Sequence, residues 1–358
     1  MTVILEAQNL KKYFPGGGGF LRKAKALRAI DGVSLAVNKG ETFAIVGESG
    51  CGKSTLARLL MRLLVPTAGE VMFDGRAIAR LQGADVTALR KDVQFIFQDP
   101  FSSLNPRMTV AQLIAEPLEL HRPDLFRADR RKEVGRLLAE VGLRPGHMDR
   151  YSHEFSGGQR QRIGIARALA SGPRVLIADE PVSALDVSVQ AQVINLLGDL
   201  RDQLGLTLII IAHDLAVIRH MSDRIAVMYL GRVVETGPTD EIFANPRHPY
   251  TRALMSAIPA AEYGARQNRQ HLTGETPSPL SPPSGCTFRT RCPHATEICA
   301  QTQPMLESSG QGAEVACHHR CAVGDDSLVL PDSPPPRTSG AEARFAMYRA
   351  AVATNQKP

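Results

Sequence analysis

A short segment near position 50 has the residue types and spacing for gripping phosphate. Gly47-Glu-Ser-Gly-Cys-Gly-Lys53-Ser54 fits the pattern G-x-x-x-x-G-K-[ST]. Glycines there let the backbone curl until successive N–H groups point inward at phosphate oxygens. A helix starting directly after the loop adds its positive end. Lys53 is then suited to bridge the β- and γ-phosphates of a nucleotide, and the Ser54 hydroxyl to ligate Mg²⁺. Gly47, Ser49, Gly50, Gly52, Lys53, Ser54 and Thr55 form the candidate cradle, while Cys51 is read as a small residue without a chemical role. Such a site also needs a carboxylate at a neighbouring strand end to hold the metal. Asp179 supplies it, directly after Val175-Leu-Ile-Ala178. Glu180 comes next, and a second carboxylate is poorly explained by Mg²⁺ binding alone. Its expected role is to activate a water in line with the γ-phosphate.

These residues need a scaffold of buried strands alternating with helices. Thr42-Phe-Ala-Ile-Val46 runs into the glycine-rich turn, and apolar residues recur at helical spacing from Lys53 to Leu64. Val175–Ala178 and Leu206–Ile211 are continuous apolar runs, the pattern of strands covered on both faces. From Ser188 to Leu204, Val189, Val193, Leu196, Leu197 and Leu200 share one helix face. The alternation predicts an α/β unit with a parallel sheet. Arg224 to Val234 predicts a hairpin turning at Leu230-Gly231-Arg232. Pro100 to Gly172 is mostly helical and charged, which suggests a helical insertion. After Asn245-Pro246 the composition changes: Pro277 to Pro283 reads as a stiff linker or wall segment, and the chain beyond Leu330 as a mobile tail.

Composition sets the outer limits. The 358 residues are 43% apolar and 22% charged, which is ordinary for a folded chain. A net charge of +6 is too diffuse to mark a nucleic-acid protein. No apolar run approaches the ~18 residues that a membrane span needs. Acidic Glu6 and the lack of a basic lead segment argue against a signal peptide. Six cysteines do not make a disulfide framework, so a reducing, cytosolic setting is expected.

Ser156-Gly-Gly-Gln159, followed by Arg160-Gln161-Arg162, resembles the signature of the ATP-binding-cassette (ABC) ATPases, with Phe155 at the position usually held by Leu. In order, the chain carries the phosphate loop, Gln98 after Val93-Gln-Phe-Ile-Phe97, this signature, Asp179-Glu180, Ser183-Ala-Leu-Asp186 and His213. The resemblance spans about residues 3–240. It implies a P-loop NTPase (RecA-like) ABC cassette with a helical subdomain and an N-terminal antiparallel β element, plus a small Cys-rich C-terminal extension. The implied boundaries are 1–244 for the ATPase domain (helical subdomain about 100–170), 245–325 for the extension and 326–358 for the tail. In this family two cassettes sandwich two ATPs between one chain's phosphate loop and the other's signature. Ser156, Gly157, Gly158, Gln159 and Asp186 would therefore serve a partner's nucleotide, and Ser156-Gly-Gly is a glycine-rich helix start able to offer N–H donors. The resemblance also implies that Gln98 senses the γ-phosphate and Mg²⁺ and that His213 holds the γ-phosphate and attacking water. Phe14 or adjacent Tyr13 would stack on adenine.

Gln98-Asp-Pro-Phe-Ser-Ser-Leu-Asn-Pro-Arg107, Tyr151-Ser-His-Glu-Phe-Ser-Gly-Gly158 and Asn245-Pro-Arg-His-Pro-Tyr-Thr-Arg252 resemble the dipeptide/oligopeptide importer ATPases, a branch that includes nickel and glutathione importers. Leu10-Lys-Lys-Tyr-Phe14 and the Gly16–Gly19 run are more similar to the second of the branch's two paralogous ATPases. The implied partners are two transmembrane permease subunits, a paralogous ATPase (or a second identical chain) and, indirectly, an extracytoplasmic solute-binding protein. The expected place is the cytoplasmic face of the inner membrane. Cys286, Cys292, Cys299 and Cys317, with Cys321 beyond, resemble the branch's Cys-rich tail, which in some members holds a [4Fe–4S] cluster. Iron–sulfur, zinc and no metal all stay open for these thiols. A soluble ABC ATPase of translation or DNA repair is the rival class. It is disfavoured because one cassette is present and the stretch from Lys53 to Ser156 is too short for a coiled coil. A pure scaffold is disfavoured by the intact Glu180.

Overall fold

Continuous apolar runs, once paired edge to edge, must be covered on both faces, and this requirement organises the molecule. The computed structural model describes residues 2–16, 25–99, 103–183, 185–212, 215–258 and 274–320. It opens with β1 (Val3–Phe14) antiparallel to β2 (Leu27–Asn38), followed by β3 (Thr42–Val46) and α1 (Lys53–Leu60). β4 (Ala68–Phe73) and β5 (Arg76–Ala77) return to the first pair, giving an antiparallel sheet of order β2-β1-β4-β5. α2 (Ala84–Asp92) leads into β6 (Val93–Ile96). The expected helical insertion contains α3 (Val110–His121), α4 (Arg127–Glu140) and α5 (Gly157–Leu169).

The chain then re-enters the main sheet through β7 (Val175–Asp179), α6 (Val187–Leu204), β8 (Thr207–Ala212) and α7 (Leu215–Met221). β9 (Arg224–Tyr229) and β10 (Arg232–Pro238) follow, then α8 (Thr239–Ala244), α9 (Pro249–Ser256), α10 (Glu297–Gln301), β11 (Glu307–Gly310) and β12 (Ala313–Val315). The main sheet has the order β11-β12-β10-β9-β3-β8-β7-β6. From β9 to β6 it is parallel, and β10, β12 and β11 extend it antiparallel. The predicted parallel sheet is present. Sequence reading missed that the C-terminal segment adds strands to it.

Alternate residues of the central strands serve opposite faces. Ala44, Val46, Leu208 and Ile210 pack with Val193 of α6 and Leu113 of α3. Phe43, Ile45, Ile209 and Ile211 pack with Leu56 of α1 and Leu5 of β1. Ile209 is fully buried in this second layer. Its replacement by Ala is expected to lower the unfolding free energy by about 2–5 kcal/mol, read as a fall in urea midpoint at unchanged slope.

Two expectations are corrected in detail. The helix after the phosphate loop ends at Leu60, not Leu64, because Arg62 takes a left-handed φ of 56° and the N–H groups of Leu63 and Leu64 both turn back to the Arg58 carbonyl. Leu63 continues the apolar spacing yet is exposed. The hairpin turns at Leu230 (φ 43°) and Gly231 (φ 74°), with Arg232 already in the returning strand. Two left-handed residues match the twist of the strands they join. Among the described residues no helix is long and apolar enough to cross a membrane.

Candidate nucleotide site

The loop after β3 is tight because its neighbours are backbone. Gly47 has φ 150°, and a Cβ there would lie 2.2 Å from the Met228 carbonyl oxygen. At Gly52, φ 109°, it would lie 2.4 Å from that of Ala29. Neither position can hold a side chain without moving a strand. The β9–β10 turn braces the loop, since Gly231 N–H donates to the Cys51 carbonyl at 2.8 Å. Lys53 is buried and donates from Nζ to the carbonyls of Gly47 (2.7 Å) and Glu48 (3.0 Å). Cys51 is also buried, which pushes its thiol up.

A cleft of about 450 Å³ opens on this loop. Ser49, Gly50, Gly52, Lys53, Ser54 and Thr55 line it, together with Gln98 and Glu180. Phe14, Leu27, Ala29 and Pro279 complete its wall. Two polar pairs join residues distant in sequence. Ser54 Oγ donates to Asp179 Oδ1 at 3.1 Å, and Gln98 Nε2 donates to Glu180 Oε2 at 2.8 Å. Asp179 ends β7 and is buried. Burial raises its carboxyl above the usual range, against the Ser54 hydrogen bond, and the neighbouring Glu180 carboxylate adds to the rise. Hard oxygen donors of this kind fit Mg²⁺. Glu180 follows the strand with φ 46°, a left-handed conformation uncommon outside glycine, and its N–H is tied to the Ile211 carbonyl at 2.9 Å. Such strain tends to sit where function needs a fixed side chain.

Phe14 and Tyr13 part company here. Phe14 lines the cleft, whereas the Tyr13 hydroxyl donates to Asp31, which Arg232 also grips at 2.7 Å. Ser156, Gly157, Gly158, Gln159 and Asp186 lie outside the lining of this cleft. Ser156 caps α5 reciprocally with Gln159 and is exposed, and a Cβ on Gly158 would come 2.3 Å from Val189. His213, Cys321 and the segment 326–358 fall outside the described residues.

Cys286, Cys292, Cys299 and Cys317 share one neighbourhood, each within electrostatic reach of others. Burial pushes the Cys286 and Cys292 thiols up and that of Cys317 to about 11. Among the described residues, however, no group of three or more His, Cys, Asp or Glu side chains is placed to hold a metal ion. The expectation of a four-thiolate iron–sulfur site, or of zinc, therefore gains no support among the described residues.

Motif reading passed over a further group of residues that meet the phosphate loop. Glu48 lies inside the phosphate loop at a position the pattern leaves free. Its carboxylate is gripped by Arg291 at 2.8 and 3.1 Å and accepts from Thr276 Oγ1 at 3.0 Å, while its N–H donates to the Tyr250 hydroxyl at 2.8 Å. Burial works to raise the Glu48 carboxyl, but the Arg291 and Thr276 hydrogen bonds hold it below the usual range. Pro279 belongs to the segment read as linker or wall, and its carbonyl accepts from Arg28 N–H at 3.2 Å. An arginine amid the cysteines was the available signal for Arg291.

A strand, a glycine loop closing on a helix-start lysine, and a carboxylate pair on the adjacent strand end define a P-loop nucleotide-binding protein. A family model described as ABC transporter matches residues 30–183, and one for the oligopeptide/dipeptide transporter C-terminal region matches residues 234–299. Oligopeptide transport ATP-binding protein OppF of Salmonella typhimurium is 53% identical over 320 residues, covering 88% of this chain and 96% of the relative. Dipeptide transport ATP-binding protein DppF of Haemophilus influenzae is 50% identical over 318 residues, covering 89% and 97%. A solved dimer of the ATP-binding cassette MJ0796, bound to ADP and Pi, superposes with a TM-score of 0.59 at 30% identity, covering 66% of this chain and 99% of the cassette. The chain belongs to the ATP-binding proteins of the oligopeptide/dipeptide ABC transporters.

Proposed function

We propose that this chain is the ATP-hydrolysing motor of an importer for di- or oligopeptides, coupling nucleotide binding and hydrolysis to uptake through separate membrane subunits. The observation that carries the reading is the convergence of Lys53, the Ser54–Asp179 pair and the Gln98–Glu180 pair on one cleft. In this reading Lys53 and the loop N–H groups bind the phosphates, and Ser54, Asp179 and Gln98 hold Mg²⁺, which neutralises charge on the phosphate oxygens. Glu180 accepts a proton from the attacking water, and Phe14 packs on the base. His213 would steady the γ-phosphate and that water. Gln98 lies just beyond β6, which ends at Ile96, where the chain leaves for the helical insertion. A change in its contacts can therefore shift that insertion against a membrane partner.

The exposed α5 start with Ser156, and Asp186 beside it, would meet the nucleotide of a second cassette. The free surface at Ser156 and the dimeric cassette MJ0796 support this arrangement. The second cassette is a paralogue or another copy, and the assembly lies on the cytoplasmic face of the membrane, fed by a solute-binding protein.

The test is peptide uptake by vesicles holding the chain with its membrane subunits, its partner cassette and binding protein, supplied with Mg-ATP. Peptide accumulation coupled to ATP cleavage is the expected result. Accumulation of Ni²⁺ or glutathione in place of peptide would overturn the substrate, and hydrolysis stimulated by RNA rather than by the membrane subunits would overturn the class.

A further inference from the structure

The phosphate loop carries an acidic residue where a polyanion must land. Glu48 lies between Gly47 and the rest of the cradle, and its carboxylate is within electrostatic reach of Lys53. Left to itself, a carboxylate there would repel a triphosphate and compete with it for the lysine ammonium. The structure turns it elsewhere. Arg291, buried in the segment that carries the cysteines, meets Glu48 through both terminal nitrogens at 2.8 and 3.1 Å. A planar guanidinium holding both carboxylate oxygens fixes direction as well as neutralising charge.

The support behind this grip is rigid. Thr276 donates to the same Glu48 oxygen at 3.0 Å and accepts from Arg291 at 3.3 Å. Tyr250, fully buried, receives the Glu48 N–H and packs against Tyr229 and Phe288 at centroid separations of 4.8 and 5.5 Å. The Arg291 guanidinium carbon lies 5.9 Å from the Tyr229 ring centroid. One aromatic cluster thus anchors both the arginine and the tyrosine that hold this loop residue.

We propose that Arg291 is a positioning residue for nucleotide binding, drawing the Glu48 carboxylate away from Lys53 and the incoming triphosphate so that the phosphate loop stays open to an anion. The proposal rests on the ATPase reading and adds to it a role for the C-terminal segment: through Arg291, which lies outside the cleft lining, that segment sets the affinity for nucleoside triphosphate.

The test is ATP hydrolysis by the assembled transporter, with KM and kcat measured separately. Arg291→Gln is expected to raise KM for ATP about tenfold while kcat stays within about twofold. In E48Q/R291Q, where the offending charge is gone as well, KM is expected to return to within about twofold of the unmodified chain. Such rescue does not follow if Arg291 only supports the fold. An unchanged KM in R291Q, or a double variant as weak as the single one, overturns the proposal. Should R291Q unfold, Arg291→Lys carries the test: a cation kept beside Glu48 holds KM within about threefold, and a tenfold rise overturns it. Failure of the unmodified chain to bind or cleave ATP would instead defeat the ATPase reading itself.

Discussion

Glu180→Gln is expected to leave a chain that takes up ATP and scarcely cleaves it, with turnover down at least ~10²-fold and nucleotide retained. The substitution is nearly isosteric. An amide at this position keeps an oxygen for the Gln98 Nε2 hydrogen bond seen at 2.8 Å, and the backbone remains tied to the Ile211 carbonyl. Ser54 and Asp179, the residues proposed to hold the metal, are untouched and keep their hydrogen bond. What disappears is the carboxylate proposed to take the water's proton. Because the nucleotide then stays whole, two cassettes should remain closed around it, and a dimer should accumulate on size-exclusion chromatography in ATP but not in ADP. Turnover within tenfold of the unmodified chain would mean that the proton goes elsewhere.

Lys53→Ala should act one step earlier, weakening ATP binding by about 100-fold. That loss corresponds to roughly 2.7 kcal/mol, the scale of a charge-assisted contact in a sheltered site. Two effects combine. The ammonium proposed to bind the phosphates is removed, and the carbonyls of Gly47 and Glu48 lose the donor that now pins them at 2.7 and 3.0 Å. A looser loop presents its N–H groups with less order. Titration with a fluorescent ATP analogue measures the affinity, and an unchanged value would remove Lys53 from phosphate binding.

Residues that are neighbours in sequence announced most of this architecture. The Gly47–Ser54 loop, the β7 end at Asp179-Glu180 and the two-residue turn at Leu230-Gly231 are local patterns, because each obeys rules of backbone conformation or strand alternation that act over a few positions. The Phe43/Ala44 division between the two faces follows from the same alternation. What stayed hidden was non-local. Nothing near Glu48 foretells Arg291, and nothing in Glu307–Gly310 or Ala313–Val315 announces a place beside β10, because both depend on the chain returning from afar. Apolar spacing past Leu60 pointed to more helix than exists, since periodicity cannot register the left-handed turn at Arg62. The cysteines show the same limit: their closeness in sequence left iron–sulfur, zinc and no metal open, and among the described residues no ligand group forms around them.

Pro279 lines a cleft whose other wall includes Phe14 from the first strand. During synthesis that wall emerges from the ribosome long before its counterpart. The site therefore acquires its full shape only once the segment carrying Pro279 has followed the first strand out and folded back beside it.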